Sequence, residues 1–309
     1  MKHNKKVTLI LILMFLVTQF IGLYVINYYS PTKVIHGEVI SLNASEIQEL
    51  PYGMETPTIE QPKDYTNIFI SIIIAFVFAI SLLFLFTRFK VNFILRLWFF
   101  VVVVIALGIF FNTIIPEINF KSLIALVIAL PLAFFKIYKR NMLVHNLTEL
   151  LIYPGIAAVF VPILNIKYLI ALLVLISVYD IWAVWHSGLM QKMAKYQMTD
   201  LKIFAGFFVP YLSKKTKARL EKFPKSKKKT KKVRANVAVL GGGDVIFPII
   251  AAGVALKTFG IVPALGTIIG ATLGLAYLFI LGNEKKFYPA MPYISTGIFL
   301  GMLIGWMLI

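Results

Sequence analysis

The sequence predicts an all-α polytopic membrane protein of about nine transmembrane helices, and three observations carry that expectation. Hydrophobic residues make up 60% of the 309-residue chain. They are gathered into runs of about 17–25 residues, the length at which an α-helix crosses a bilayer. Between these runs, basic clusters recur at every second connection, as expected where lysine and arginine stay on the cytoplasmic side.

Taken in order, the apolar runs cover 7–29, 67–87, 91–115, 121–138, 147–163, 167–189, 236–257, 260–282 and 288–309. Each must be helical, because lipid offers no partner to an unpaired backbone group. The first follows the basic start Met1–Lys6 and has the outline of a signal peptide. It ends in Tyr28-Tyr29-Ser30-Pro31 with no small-residue cleavage site, and so reads as a retained span. Orientation follows from charge. Lys2, Lys5 and Lys6 precede span one, Arg88 and Lys90 separate spans two and three, and Lys136, Lys139 and Arg140 separate spans four and five. A basic loop follows span six, and Lys285 and Lys286 follow span eight. Threading nine spans in alternation puts all five clusters on one face. Segment 30–66, with six acidic residues against Lys33 and Lys63, falls on the other. The expectation is a cytoplasmic N-terminus and an external C-terminus.

The formal charge of +18 invites a nucleic-acid reading, but its distribution argues against one. Between Gln191 and Asn236 lie fifteen Lys/Arg against Asp200 and Glu221, all in one loop between spans. Its run Lys225–Lys232 reads as solvated and able to touch anionic headgroups. With no cysteine, disulfides, thiolate catalysis and cysteine-held metals are excluded. The four histidines, His3, His36, His145 and His186, have no metal-ligand spacing. Neither cofactor nor metal is expected.

Against this apolar background two acids stand out. Asp180 lies in the sixth span within Ser177-Val178-Tyr179-Asp180, and Asp244 near the start of the seventh within Gly241-Gly242-Gly243-Asp244. An ionisable side chain at that depth is costly and marks function by default. Counting helically from the inner ends near Met190 and Asn236 puts them about 15 Å and about 12 Å below the same surface. Two facing carboxyl groups share a proton, and such a pair activates water without a metal or a covalent intermediate. The glycines before Asp244 bare the backbone to a close approach, and Pro248 loosens the helix beyond it. Glu149 reads as a span-end residue that snorkels or pairs with Lys139 or Arg140.

Tyr179-Asp180, Gly241-Gly242-Gly243-Asp244 and Pro289-Ala290-Met291, in this order on spans six, seven and nine, resemble the YD, GxGD and PAL motifs of the presenilin and signal peptide peptidase family. The surrounding strings Ser177–Val184 and Gly243–Phe247 resemble that family's sequences as well. The resemblance is clear over spans six to nine, and nine spans agree with it. It implies a presenilin-like fold and an intramembrane aspartic endopeptidase of GxGD type with Asp180 and Asp244 as the catalytic pair. Tyr179, Gly241, Gly242 and Gly243 would shape the cleft, and Pro289, Ala290 and Met291 would position the active site and an unwound substrate. Met291 replaces the usual leucine, a swap that conserves volume. A second string, Pro263-Ala264-Leu265, stands only eighteen residues beyond Asp244, too near to open the last span. The N-terminal orientation is that of presenilin rather than of signal peptide peptidase.

On this reading, 1–163 is a scaffold of spans one to five with the external loop 30–66, and 164–309 holds the catalytic spans with the basic loop 191–235. Expected partners are single-span membrane proteins or signal peptides and the surrounding lipid. No nucleic acid and no obligatory partner subunit are expected, and the short first loop suits a prokaryotic cell membrane. In the family an extended substrate segment adds as a strand, and the end of the 191–236 loop and the stretch before Pro289 are the candidate edges.

Three other readings compete. A prepilin-type peptidase, also a GxGD protease, commonly carries a basic residue soon after that motif, whereas Val245-Ile246-Phe247 follows here. A rhomboid protease needs G-x-S-G, and Trp185-His186-Ser187-Gly188 lacks its first glycine. A proton-coupled transporter or cation leak channel would use the same buried aspartates as a relay, though no inverted repeat is evident.

Overall fold

A computed structural model describes residues 5–35, 38–42, 47–55, 59, 61–89, 92–139, 141–187, 203–211, 236–282 and 288–309. Among the described residues nine α-helices succeed one another: α1 (Lys5–Tyr29), α2 (Pro62–Phe89), α3 (Asn92–Ile114), α4 (Lys121–Tyr138), α5 (Met142–Phe160), α6 (Ile166–Trp182), α7 (Gly242–Phe259), α8 (Ile261–Leu281) and α9 (Met291–Met307). Eight are long and apolar enough to cross a membrane, α6 together with its continuation to His186, and α9 is an apolar helix of 17 residues. The run Lys225–Lys232 lies outside the described residues.

Local chemistry sets several boundaries. Asn141 opens α5 by accepting from the N–H groups of Leu143 and Val144, and Asn165 opens α6 by accepting from that of Tyr168. Gly260, at φ +96°, is the only residue between α7 and α8, a conformation that favours glycine. Segment 30–66 contains a hairpin, β1 (Thr32–Ile35) with β2 (Glu38–Ser41), and a 3-10 turn over Pro51–Gly53.

The closest packing joins α8 to α9. Gly266, Gly270 and Gly274 recur every four residues on α8 and meet Gly297 and Gly301 of α9. A Cβ on Gly270 would stand 2.0 Å from the Gly297 carbonyl oxygen, so backbone lies on backbone. The main apolar core draws on α1 and α5–α9, crossing the 163/164 boundary, while a second gathers around α3, α4 and α5. By contrast α2 has no buried residue over Pro62–Leu82. It leans on α6 through Thr66 and Tyr168, whose hydroxyls are 2.5 Å apart, and through Phe69 and Phe76.

Two expectations are corrected. Asn236 does not start the seventh helix. Residues 236–241 are β4 (Asn236–Gly241), paired antiparallel with β3 (Gly206–Tyr211), and α7 begins at Gly242. Val237-Ala238-Val239 is apolar enough to extend a helical run on paper, but β-branched residues followed by three glycines suit a strand that ends in a turn. Asp244 therefore belongs to the first turn of α7, and the helical count of its depth from Asn236 does not hold. Glu149 does not snorkel. It is 1% exposed and pairs with Lys136, one turn deeper than Lys139, while Arg140 lies outside the described residues.

Candidate active site

Asp180 closes the last turn of α6, where the helix widens into a π-turn over Ala183–Ser187. Its side chain is buried at 6% exposure. The carboxylate Oδ2 accepts the backbone N–H of Met291 at 3.0 Å, and the Ala290 N–H bonds the same group. Both donors are free N–H groups at the N-terminus of α9, where the helix dipole favours an anion. The Pro289-Ala290-Met291 string therefore acts on Asp180 through its main chain. One turn below, the Ser177 and Ser295 hydroxyls meet at 3.0 Å and tie α6 to α9 again.

Asp244 lies three residues into the chain's return from β4. Gly241 is the N-cap of α7, and a Cβ there would stand 3.2 Å from Asp244 Oδ2. Gly242 is pressed by Tyr153 of α5, whose hydroxyl would lie 2.7 Å from an added Cβ. Gly243 is exposed, and a Cβ there would meet only Phe247 at 3.8 Å, so protein packing does not require glycine at that position. The helix runs on through Pro248 without interruption. Pro248 has no N–H to offer the Asp244 carbonyl. The neighbouring Val245 carbonyl accepts from Gln19 Nε2 of α1 at 3.0 Å, a buried polar contact 226 residues apart in sequence.

Tyr179, next to Asp180 on α6, is half-buried. Its ring packs edge-to-face on Phe76 of α2 with centroids 5.6 Å apart, so it lines the α2–α6 side. Helices α6, α7 and α9, which carry Asp180, Asp244 and Met291, pack on one another.

Beside this region lies the β3–β4 hairpin. The Gly242 N–H donates to the Ala205 carbonyl at 3.1 Å, fastening the start of α7 to the start of β3. Phe208 turns both backbone groups toward α5: its N–H donates to Asn146 Oδ1 at 3.0 Å, and its carbonyl accepts from Asn146 Nδ2 at 2.7 Å. In an antiparallel ladder the residue opposite an outward-facing one also faces outward. Phe208 pairs with Val239 and Pro210 with Val237, so on β4 the backbone groups of Val237 and Val239 point away from β3. None of the described hydrogen bonds reaches them, and the Val237 side chain is 42% exposed. Pro210 sits where its missing N–H costs no ladder bond.

Sequence reasoning missed Gln19, Lys136, His145, Asn146 and Tyr153. A signal was present for part of this set. His145, Asn146, Thr148 and Glu149 place four polar residues on neighbouring positions of an otherwise apolar run.

A family model described as signal-peptide peptidase, presenilin aspartyl protease matches residues 34–309. Two structures of a presenilin family intramembrane aspartate protease, in space groups C222 and P2, superpose with TM-scores of 0.57 and 0.59. Each is 20% identical, and each match covers 97% of both chains. No curated protein sequence matches.

Proposed function

From the premise that this chain belongs to the signal-peptide peptidase and presenilin aspartyl protease family, and so is a multi-pass intramembrane aspartyl protease, we propose that Asp180 and Asp244 form its catalytic pair. The observation that carries this is the hold of the α9 N-terminus on Asp180 while α9 also packs on α7, which bears Asp244 in its first turn.

The two carboxyl groups share one proton. The ionised member takes a proton from a water whose oxygen bonds to the scissile carbonyl carbon. The protonated member gives its proton to the carbonyl oxygen. The resulting gem-diol collapses as a proton passes to the amide nitrogen and the C–N bond breaks, leaving a carboxyl and an amine terminus. Enclosure by protein keeps the pair out of lipid, and no metal or covalent enzyme intermediate enters.

The substrate is the transmembrane helix of a single-span protein or a signal peptide. A helix hides its peptide bonds, so the cut segment unwinds and adds as a strand to the open edge of β4, along Val237 and Val239. The bare, exposed Gly243 lets that segment pass close to Asp244. Tyr179 borders the α2 side, and Pro289, Ala290 and Met291 set the position of Asp180. Helices α6–α9 do the chemistry on a scaffold of α1–α5, and the enzyme works without an obligatory subunit. The basic residues that separate β3 from β4 meet the anionic headgroups on the cytoplasmic face of a prokaryotic cell membrane.

The test is cleavage of a single-span model substrate by the purified protein. Asp180→Asn and Asp244→Asn should each lower the rate by about a hundredfold or more with folding intact. Proton or cation flux that survives in a protein that cuts nothing would instead favour a transporter.

A further inference from the structure

The polar cluster on α4 and α5 is not used by the chemistry above, yet it reaches the hairpin at two points. We propose that Lys136, His145, Asn146 and Glu149 are positioning residues, a latch that holds β3 and so sets which substrate bond the open edge of β4 delivers to Asp244. This rests on the reading of β4 as the substrate strand's partner.

The cluster is built to aim one donor. Lys136 Nζ pairs with Glu149, with the two side chains only 5% and 2% exposed, so the cation is neutralised where water is scarce. The same Nζ stands 3.4 Å from His145 Nδ1. An ammonium group only donates, so Nδ1 is the accepting nitrogen and the ring carries its proton on Nε2. Nε2 lies 2.8 Å from the Gly206 carbonyl oxygen and donates to it. Glu149 thus orients Lys136, Lys136 selects the tautomer of His145, and His145 grips the first residue of β3. Two residues on, the Asn146 amide makes both its bonds to Phe208, closing the outer edge of β3 in the manner of a further strand.

Both grips act near Asp244. Gly206 pairs with Gly241, the N-cap of α7, and a Cβ on Gly206 would stand 2.4 Å from the Leu240 carbonyl oxygen. With β3 pinned to α5, β4 cannot tilt against the first turn of α7. A substrate strand on β4 then meets Asp244 in one register, and a slip would carry a different peptide bond to the pair.

Two measurements on the full-length protein test this. The first maps product masses from a single-span substrate. Asn146→Asp accepts from the Phe208 N–H but sets a carboxylate against the Phe208 carbonyl, and His145→Ala removes the grip on Gly206. Each should spread cleavage over neighbouring bonds and lower kcat/KM about tenfold to a hundredfold. His145→Gln, whose amide can donate to Gly206, should recover most of the single-bond pattern. Unchanged cut sites in Asn146→Asp and His145→Ala would overturn the proposal even if the rate fell. The second measurement needs no substrate: amide exchange over 206–211 and 236–241 should speed up in both variants and return toward the parent in His145→Gln. Unchanged exchange in Asn146→Asp and His145→Ala would overturn the latch whatever the cleavage assay gave. Absence of cleavage by the unmodified protein would instead defeat the assigned function and leave the exchange result to decide the latch.

Discussion

Asp180 ends a helix and is held by the backbone of another, whereas Asp244 begins a helix and rests on glycines beside a strand pair. The first is tied to the densest seam in the molecule, since the α9 N–H groups that bind it belong to the helix whose glycines lie against α8. The second is set by adjustable contacts: Tyr153 against Gly242, Gln19 on the Val245 carbonyl, and the hairpin bond from Gly242 to Ala205. One carboxylate is held by main-chain donors, whereas the helical turn that carries the other is braced by side chains and a strand. The difference teaches where substitution should act: damage to the α8–α9 seam costs the fold, and damage around Gly242 costs the alignment.

The largest effect should come from Gly297→Leu. Its Cβ would stand 2.1 Å from the Gly270 carbonyl oxygen, and backbone cannot step aside as a side chain can. Forcing α8 from α9 should destabilise the protein by about 3 kcal/mol or more and release Asp180 with it, read as a lower Tm in detergent. An unchanged Tm would mean that the seam does not anchor Asp180.

Next comes Gly242→Ala. The added methyl meets the Tyr153 hydroxyl at 2.7 Å, so either the ring or the first turn of α7 must move. Activity should fall about tenfold to a hundredfold with little change in Tm. Tyr153→Phe in the same chain removes the nearest atom and should restore part of the loss. Equal activity in the single and double variants would remove Tyr153 from the account of how Asp244 is placed.

The smallest effect should come from Met291→Leu. The residue holds Asp180 through its N–H, which the change leaves in place, and a volume-conserving swap in a core costs less than about 1.5 kcal/mol. Loss of most activity would show that the thioether itself matters.

Much of the fold was legible because lipid limits the choices. Apolar runs must be helices, and the nine expected spans correspond to the nine helices among the described residues, with most boundaries within a few residues. Asp180 and Asp244 stand out because acids are rare inside apolar runs, and Pro289–Met291 because it resembles the PAL motif. The structure then explains how the last of these acts: Ala290 and Met291 work through N–H groups that no side-chain pattern reveals. The boundary at Asn236 was not legible, since Val237-Ala238-Val239 fits either a buried strand or a helix by composition. Gln19 and Lys136 were illegible for another reason. Each acts on a partner from a different helix, and hydrophobic periodicity within one helix carries no record of that pairing.

A catalytic pair requires the Asp180 and Asp244 side chains to face each other. The natural absence of cysteine makes a direct test possible. In the Asp180→Cys/Asp244→Cys double variant, one mercuric ion should bridge the two thiolates within one chain and survive a brief monothiol wash that strips mercury from each single variant, read by intact mass. Loss of mercury from the double variant in that same wash, with the protein folded, would show that the two side chains do not face each other.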